Sequence, residues 1–235
     1  MFVTKRLAPV VLAAGLALAD PAAAATAFVS PAQVDASRLL APPPAAGSPR
    51  ALAEMAELRD LIAHRTPDER ELATHDAKDE TGGFFASAIG PAFDLAKLPK
   101  TAEMLADIGE DEDVVTKPAK AFFHRDRPYT VAPELDTCTP HKDDAKPTSY
   151  PSGHATRSFA MGVVLVSLMP DKAQAILARS AQYAEERLIC GVHFRSDIVA
   201  GQTLGTVLGL ELMRDPGFRK VYDAAADELK AAHLR

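Results

Sequence analysis

Three short stretches of the chain hold residues whose types and spacing could do chemistry. The first, "KPAKAFFHRDRP" from Lys117 to Pro128, gathers Lys117, Lys120, His124, Arg125 and Arg127 within eleven residues of an otherwise acidic chain. Lys120 and Arg127 are seven apart, two helical turns, which predicts that both project from one helix face. A solvated basic helix end, favoured by the macrodipole, is the alternative for this stretch alone. The second is Pro151-Ser152-Gly153-His154, at the mouth of the apolar run "ATRSFAMGVVLVSLMP". Here the Ser152 hydroxyl and the N–H groups of Ser152 and Gly153 can converge on an anion at a helix N-terminus, and His154 can hand a proton to a leaving group. Plain N-capping by Ser152 explains the same serine without any chemistry.

The third stretch, "ERLICGVHFRSD", carries Arg187, His193 and Asp197. A carboxylate four residues after an imidazole can accept its Nδ1–H, which frees Nε2 to act as base, ligand or nucleophile. Metal binding competes for this pair, but further ligands such as His124 or His141 would be required. Taken jointly, the clusters supply what displacement at phosphorus needs. Lys120, Arg127 and Arg187 can neutralise the equatorial oxygens, His193 can attack in line, and His154 can protonate the departing oxygen. A serine hydrolase built on Ser152 lacks the G-x-S-x-G elbow. A phosphate-binding module without turnover has no use for a nucleophile paired with a carboxylate.

The elements that must position these residues are helical. Leu52, Met55, Leu58 and Ile62 fall on one face of "ALAEMAELRDLIAHR", and a second helix is predicted from Thr66, with Pro67 at its first position. The glycine-bearing "DETGGFFASAIGP" reads as a loop, and helical spacing resumes over residues 101–125. Residues 128–149 read as a long loop, and helices follow at about 154–168, 171–188, 196–213 and 216–232. With no β alternation and no internal repeat, the fold class is all-α, a single-domain helical bundle occupying residues 51–235. Residues 26–50 are rich in proline and alanine and read as an extended leader.

Composition sets the outer limits. The chain has 235 residues, 47% of them hydrophobic, and a formal charge of −6, so no global basic field attracts a nucleic acid polymer. After the N-terminal region no run of about 18 apolar residues predicts an integral membrane helix. Lys5 and Arg6 precede the apolar run Leu7 to Ala19, and small residues follow to Ala25, the layout of a secretory signal peptide over residues 1–25 cleaved near Ala25. The expected location is therefore periplasmic or secreted. There the only two cysteines, Cys138 and Cys190, can form one intrachain disulfide, with two buried free thiols as the alternative.

The pattern Lys120-x6-Arg127-Pro128, Pro151-Ser152-Gly153-His154 and Arg187-x5-His193-x3-Asp197 resembles the three-part signature of the type 2 phosphatidic acid phosphatase (PAP2) superfamily. Within it, the chain from about Arg65 onward looks like the bacterial class A non-specific acid phosphatases. The resemblance implies a helical bundle with the site in its core and a metal-independent acid phosphatase acting on small phosphomonoesters. It implies His193 as the nucleophile forming a phosphohistidine, Asp197 as its orienting carboxylate, and His154 as general acid and then base. Lys120, Arg127, Ser152, Gly153 and Arg187 would bind phosphate. No cofactor is implied, though vanadate is expected to bind as a phosphate mimic, and phosphotransfer and a homo-oligomer are compatible with the pattern. A vanadium-dependent haloperoxidase and a soluble lipid phosphatase of the same superfamily are the competing enzymes. One departure is Glu186, where the family usually has serine before the arginine. Because adjacent helical residues do not share a face, Glu186 is expected to face solvent. Activity is expected below neutral pH, since the acid on the leaving side must be protonated.

Overall fold

The computed structural model describes residues 27–138, 140 and 146–235; the signal-like residues 1–25 and His141 lie outside them. All regular structure among the described residues is helical. The α-helices are α1 (Ala36–Leu39), α2 (Pro49–His64), α3 (Pro67–Asp76), α4 (Ala86–Ile89), α5 (Pro99–Phe123), α6 (Pro128–Val131), α7 (Gly153–Leu168), α8 (Ala173–Ile189), α9 (Arg195–Leu212) and α10 (Pro216–Ala231).

Several helix starts follow from local chemistry. Ser48 and Asp215 cap α2 and α10 with their side chains, and a proline opens each helix. At α3 a capping box satisfies two orphan N–H groups: Thr66 Oγ1 accepts from Glu69 N, and Glu69 accepts from Thr66 N.

The centre of the bundle is α7, buried along most of its length and covered by α8 and α9. The close approach of α7 and α9 depends on Gly201, Gly205 and Gly209, spaced one turn apart. A Cβ at Gly201 would sit 2.6 Å from the Ser152 carbonyl and one at Gly209 2.9 Å from the Ala160 carbonyl, while one at Gly205 would collide with the Thr156 carbonyl. The stripe of missing side chains lets α9 lie against the α7 backbone.

Several expectations need correction. The segment predicted to be an extended leader contributes Val29, Val34, Ala36 and Leu40 to the core, and the Phe28 and Val29 N–H groups are held by the Asp111 carboxylate. On α2, Leu52 is exposed whereas Glu54 is buried, because the helix turns its polar edge toward an arginine described below. The glycine-bearing stretch contains a 3-10 turn at Gly83–Phe85 followed by α4, with Phe84 and Phe85 in the core. Part of the stretch predicted as a long loop is helical, as α6.

Candidate active site

Lys120 sits in the last turn of α5, which ends at His124 with φ of 49°. That left-handed residue turns the chain, so Arg127 lies beyond the helix, as the N-cap residue of α6. The expected shared helical face for Lys120 and Arg127 does not exist. A turn brings them together instead.

Ser152 caps α7, its Oγ accepting from Ala155 N at 3.3 Å, and Ser152 N donates to the Asp197 carbonyl at 3.0 Å. The cradle is thereby tied to the first turn of α9. Gly153 has close neighbours: a Cβ there would lie 2.9 Å from Glu112 Oε1 and 3.1 Å from Lys120 Nζ. Glycine is what lets Lys120 reach the mouth of α7.

His193 lies in the turn between α8 and α9. Its Nε2 is 2.8 Å from Arg127 Nη1, and its Nδ1 is 3.3 Å from Asp197 Oδ2. A guanidinium can only donate, so Nε2 is the acceptor and the proton resides on Nδ1, facing the carboxylate. Burial, reinforced by Arg127, Lys120, His154 and Arg187, holds the imidazole well below its usual range. His193 is therefore neutral, with its Nε2 lone pair among the cations.

Asp197 is fully buried and heavily bonded. Oδ1 accepts from Arg125 Nη1 at 2.6 Å, and Oδ2 accepts from Ser149 Oγ at 2.6 Å and Phe194 N at 2.8 Å besides facing His193. Burial pushes its carboxyl up to about 6, with Arg125 and these donors pulling the other way. Arg125 also donates to Ser196 Oγ at 2.7 Å and Glu54 Oε2 at 2.8 Å, and its guanidinium lies 4.2 Å over the Phe194 ring.

On the other side, His154 is half-buried and stacks on Tyr183 at 5.6 Å between ring centroids. Its Nε2 faces the Ala77 carbonyl at 3.3 Å, with Glu80 Oε1 at 3.8 Å. Burial and then Arg187 push it down to about 3. Arg187, 2% exposed, donates from Nη2 to the Ala73 carbonyl at 2.7 Å. Burial lowers Lys120, Arg127 and Arg187. Among the described residues, the buried Nε atoms of Arg127 and Arg187 have no hydrogen-bond partner. These unmatched donors suit a ligand with several anionic oxygens.

All eight candidates for catalysis and phosphate binding thus lie around one region, and Cys138 and Cys190 form a disulfide beside it. Within the basic stretch, Lys117 instead pairs with Asp113 at 3.0 Å on the surface, and His124 is the exposed helix end. No group of three His, Cys, Asp or Glu side chains suited to a metal ion occurs among the described residues.

Sequence reasoning missed Glu54, Ser149 and Ser196, and noted Arg125 without a role. The signal for Arg125 was its charge in a short segment leading into a core helix region, where an arginine needs acidic partners. Glu112 was also missed; it is buried, accepts from Thr116 Oγ1 at 2.7 Å and Arg157 Nη2 at 3.0 Å, and is raised by burial. Glu186, expected in solvent, is 2% exposed, because it turns toward Arg179 on the side of α8 that packs against α3.

Known proteins give this geometry a context. A family model described as the PAP2 superfamily matches residues 112–220, which span all three clusters. A non-specific acid phosphatase of Providencia stuartii is 31% identical over 201 residues, covering 83% of this chain and 81% of the relative. An acid phosphatase of Zymomonas mobilis is 31% identical over 198 residues, covering 82% and 75% respectively. Among solved structures, a transmembrane PAP2 type phosphatidylglycerolphosphate phosphatase from Bacillus subtilis aligns with a TM-score of 0.53 at 18% identity, covering 74% of this chain and 88% of that one. This last likeness concerns the fold. Among the described residues of the present chain, no helix is long and apolar enough to cross a membrane.

Proposed function

The chain belongs to the PAP2 superfamily, with the bacterial non-specific acid phosphatases among its relatives, and from that premise we propose that it hydrolyses small phosphomonoesters through a phosphohistidine on His193. The observation that carries the reading is the tautomer of His193: Asp197 takes Nδ1–H, so Nε2 is a lone pair surrounded by cations.

In the first half-reaction Nε2 attacks phosphorus and the bond to the leaving oxygen breaks. Arg127 turns its donors from Nε2 to a phosphoryl oxygen, while Lys120, Arg187 and the cradle at Ser152 and Gly153 hold the others as charge shifts. Protonated His154 delivers its proton to the departing alkoxide, and Asp197 balances the positive charge on His193. In the second half, neutral His154 takes a proton from water, the water oxygen attacks phosphorus, and the N–P bond breaks to release phosphate. An alcohol entering in place of water receives the phosphoryl group instead, which is phosphotransfer. The residues supply nucleophile, acid and charge, so no metal step is required by this scheme. Orthovanadate, with the same tetrahedral oxyanion shape, is expected to compete for the site.

A periplasmic or secreted location is part of the proposal, supported by the Cys138–Cys190 bond and the signal-like residues 1–25.

The test is turnover of p-nitrophenyl phosphate in excess EDTA, run beside His193→Ala. Turnover is expected to survive the chelator and to fall by about four orders of magnitude or more in the variant. Loss of activity in EDTA would transfer the reaction to a metal. Phosphate binding without turnover in the parent chain would make it a binding module.

A further inference from the structure

Behind the phosphate site lies buried charge that the reaction above leaves unused. Asp76, which ends α3, is 1% exposed, and Glu186, near the end of α8, is 2% exposed. Both carboxylates sit on one guanidinium. Arg179 Nη2 donates to Asp76 Oδ2, and Arg179 Nη1 lies 3.5 Å from Glu186 Oε1. The third edge of that guanidinium, Nε, is used on the Phe84 carbonyl and the Ser87 hydroxyl, both at 3.2 Å.

Arg179 is shared unequally: it donates to Asp76, whereas neither oxygen of Glu186 has a hydrogen-bond donor, so the charged form of Glu186 is the less favoured of the two. Asp76 is the better-bonded anion, since it accepts from Arg179 and also meets His75 Nδ1 at 3.1 Å; burial opposes its charge, yet it is held below the usual carboxylate range. Glu186 is the acid. Burial first, and Asp76 next, push its carboxyl up to about 8. The charged or titratable groups that act on Glu186 are Asp76 from α3 and Arg179 and Arg187 from α8.

The position of Asp76 gives this pair a task. One turn earlier, the Ala73 carbonyl accepts from Arg187 Nη2 at 2.7 Å; one residue later, the Ala77 carbonyl faces His154 Nε2 at 3.3 Å. The end of α3 therefore touches both a phosphate-binding cation and the proton donor. We propose that Glu186 is a positioning residue for the phosphate site: facing the guanidinium that Asp76 also holds, it fastens the end of α8 to the end of α3 and so fixes Arg187 and His154. Ionisation of its raised carboxyl is then expected to loosen that link at alkaline pH. The inference rests on the phosphate-site reading and adds a residue and a pH limit to it.

The test measures binding of inorganic phosphate by calorimetry from pH 6 to pH 9, with turnover of p-nitrophenyl phosphate recorded on the same samples. In the parent chain, affinity is expected to weaken between pH 7 and pH 9 by about fivefold more than in Glu186→Gln, whose amide keeps the shape of the acid but cannot ionise. Glu186→Ala is expected to bind more weakly across the whole range, and Glu186→Gln to restore the binding at pH 6. In the parent, carbon-13 NMR of labelled glutamate should show one carboxyl titrating near pH 8, and its absence from Glu186→Gln assigns it. Identical alkaline limbs in parent and Glu186→Gln, or glutamates that all titrate in the ordinary acidic range, would overturn the proposal. Phosphate binding that depends on Glu186 without turnover would sustain it while defeating the phosphatase reading; absence of phosphate binding at any pH would defeat both.

Discussion

His193 is 2% exposed and engaged at both ring nitrogens, whereas His154 leaves 25% of its side chain open and faces one carbonyl at 3.3 Å. The carboxylate near each ring differs in the same sense. Asp197 is completely buried and bonded to Arg125, Ser149 and a backbone N–H, while Glu80 is 55% exposed and 3.8 Å away. A nucleophile must present one lone pair along one line, so its tautomer and orientation are secured before substrate arrives. A proton donor must gain and lose a proton in each cycle, so its environment is left responsive to what is bound. The same side chain is thus given a rigid setting on one side of the site and an adjustable one on the other.

The largest test of this contrast is Asp197→Asn. The amide cannot accept from Nδ1 and from Arg125 as the carboxylate does, so the ring loses its fixed tautomer and Arg125 its counter-charge. We expect kcat to fall by about 10²–10⁴-fold with a smaller change in KM. A loss confined to KM would mean that Asp197 serves binding and not the orientation of His193.

Next in size is His154→Asn, whose effect should depend on the leaving group. For an alkyl phosphate, kcat is expected to fall by about 10²–10⁴-fold, and far less for p-nitrophenyl phosphate, whose phenolate departs without a proton. Equal losses for both substrates would remove His154 from the leaving-group side. The same variant sharpens the pH argument. Without ligand, His154 is pushed down to about 3, so it is neutral at ordinary pH. Bound phosphate places negative charge beside it and raises that value; binding therefore takes up protons and favours acidic conditions over the window between about 3 and the bound value. Calorimetry of phosphate binding at pH 6 in buffers of different ionisation enthalpy should show proton uptake in the parent and less in His154→Asn. Equal uptake in the two would place the proton elsewhere.

The smallest effect on catalysis is expected from Cys138→Ser. The disulfide ties the segment before the cradle to the end of α8, where Cys138 N also donates to the Cys190 carbonyl at 3.2 Å. Arg65 holds the same region through the Ile189 carbonyl at 2.6 Å and the Asp136 carbonyl at 2.7 Å. Loss of the bond should cost about 2–4 kcal/mol, roughly 5–15 °C in Tm for a chain of this size, with kcat changed by less than about twofold. An unchanged Tm under oxidising conditions would show that Arg65 and its partners suffice, and a large fall in kcat would make the bond part of the site.

Much of the site was legible in the chain because its chemistry depends on residue types at short spacing. The order of cations, imidazoles and carboxylate is written linearly, and so are the caps at Ser48, Thr66, Ser152 and Asp215, each of which acts within a few residues of itself. The all-α class follows from periodicity of the same short range. The spacing of Lys120 and Arg127 misled because helical geometry was extrapolated past a left-handed residue, His124.

What the sequence by itself determined, then, is which groups are available and where the long, side-chain-capped helices begin. Only the tertiary structure decided which charges are enclosed. Glu54, Glu112 and Glu186 look like solvent-facing carboxylates along the chain, yet each is buried against an arginine. Arg125 reaches Glu54 across 71 residues, and Arg179 reaches Asp76 across 103. Burial and pairing of charge depend on neighbours brought from other helices, and the cost of desolvation is met only by partners that local spacing does not reveal.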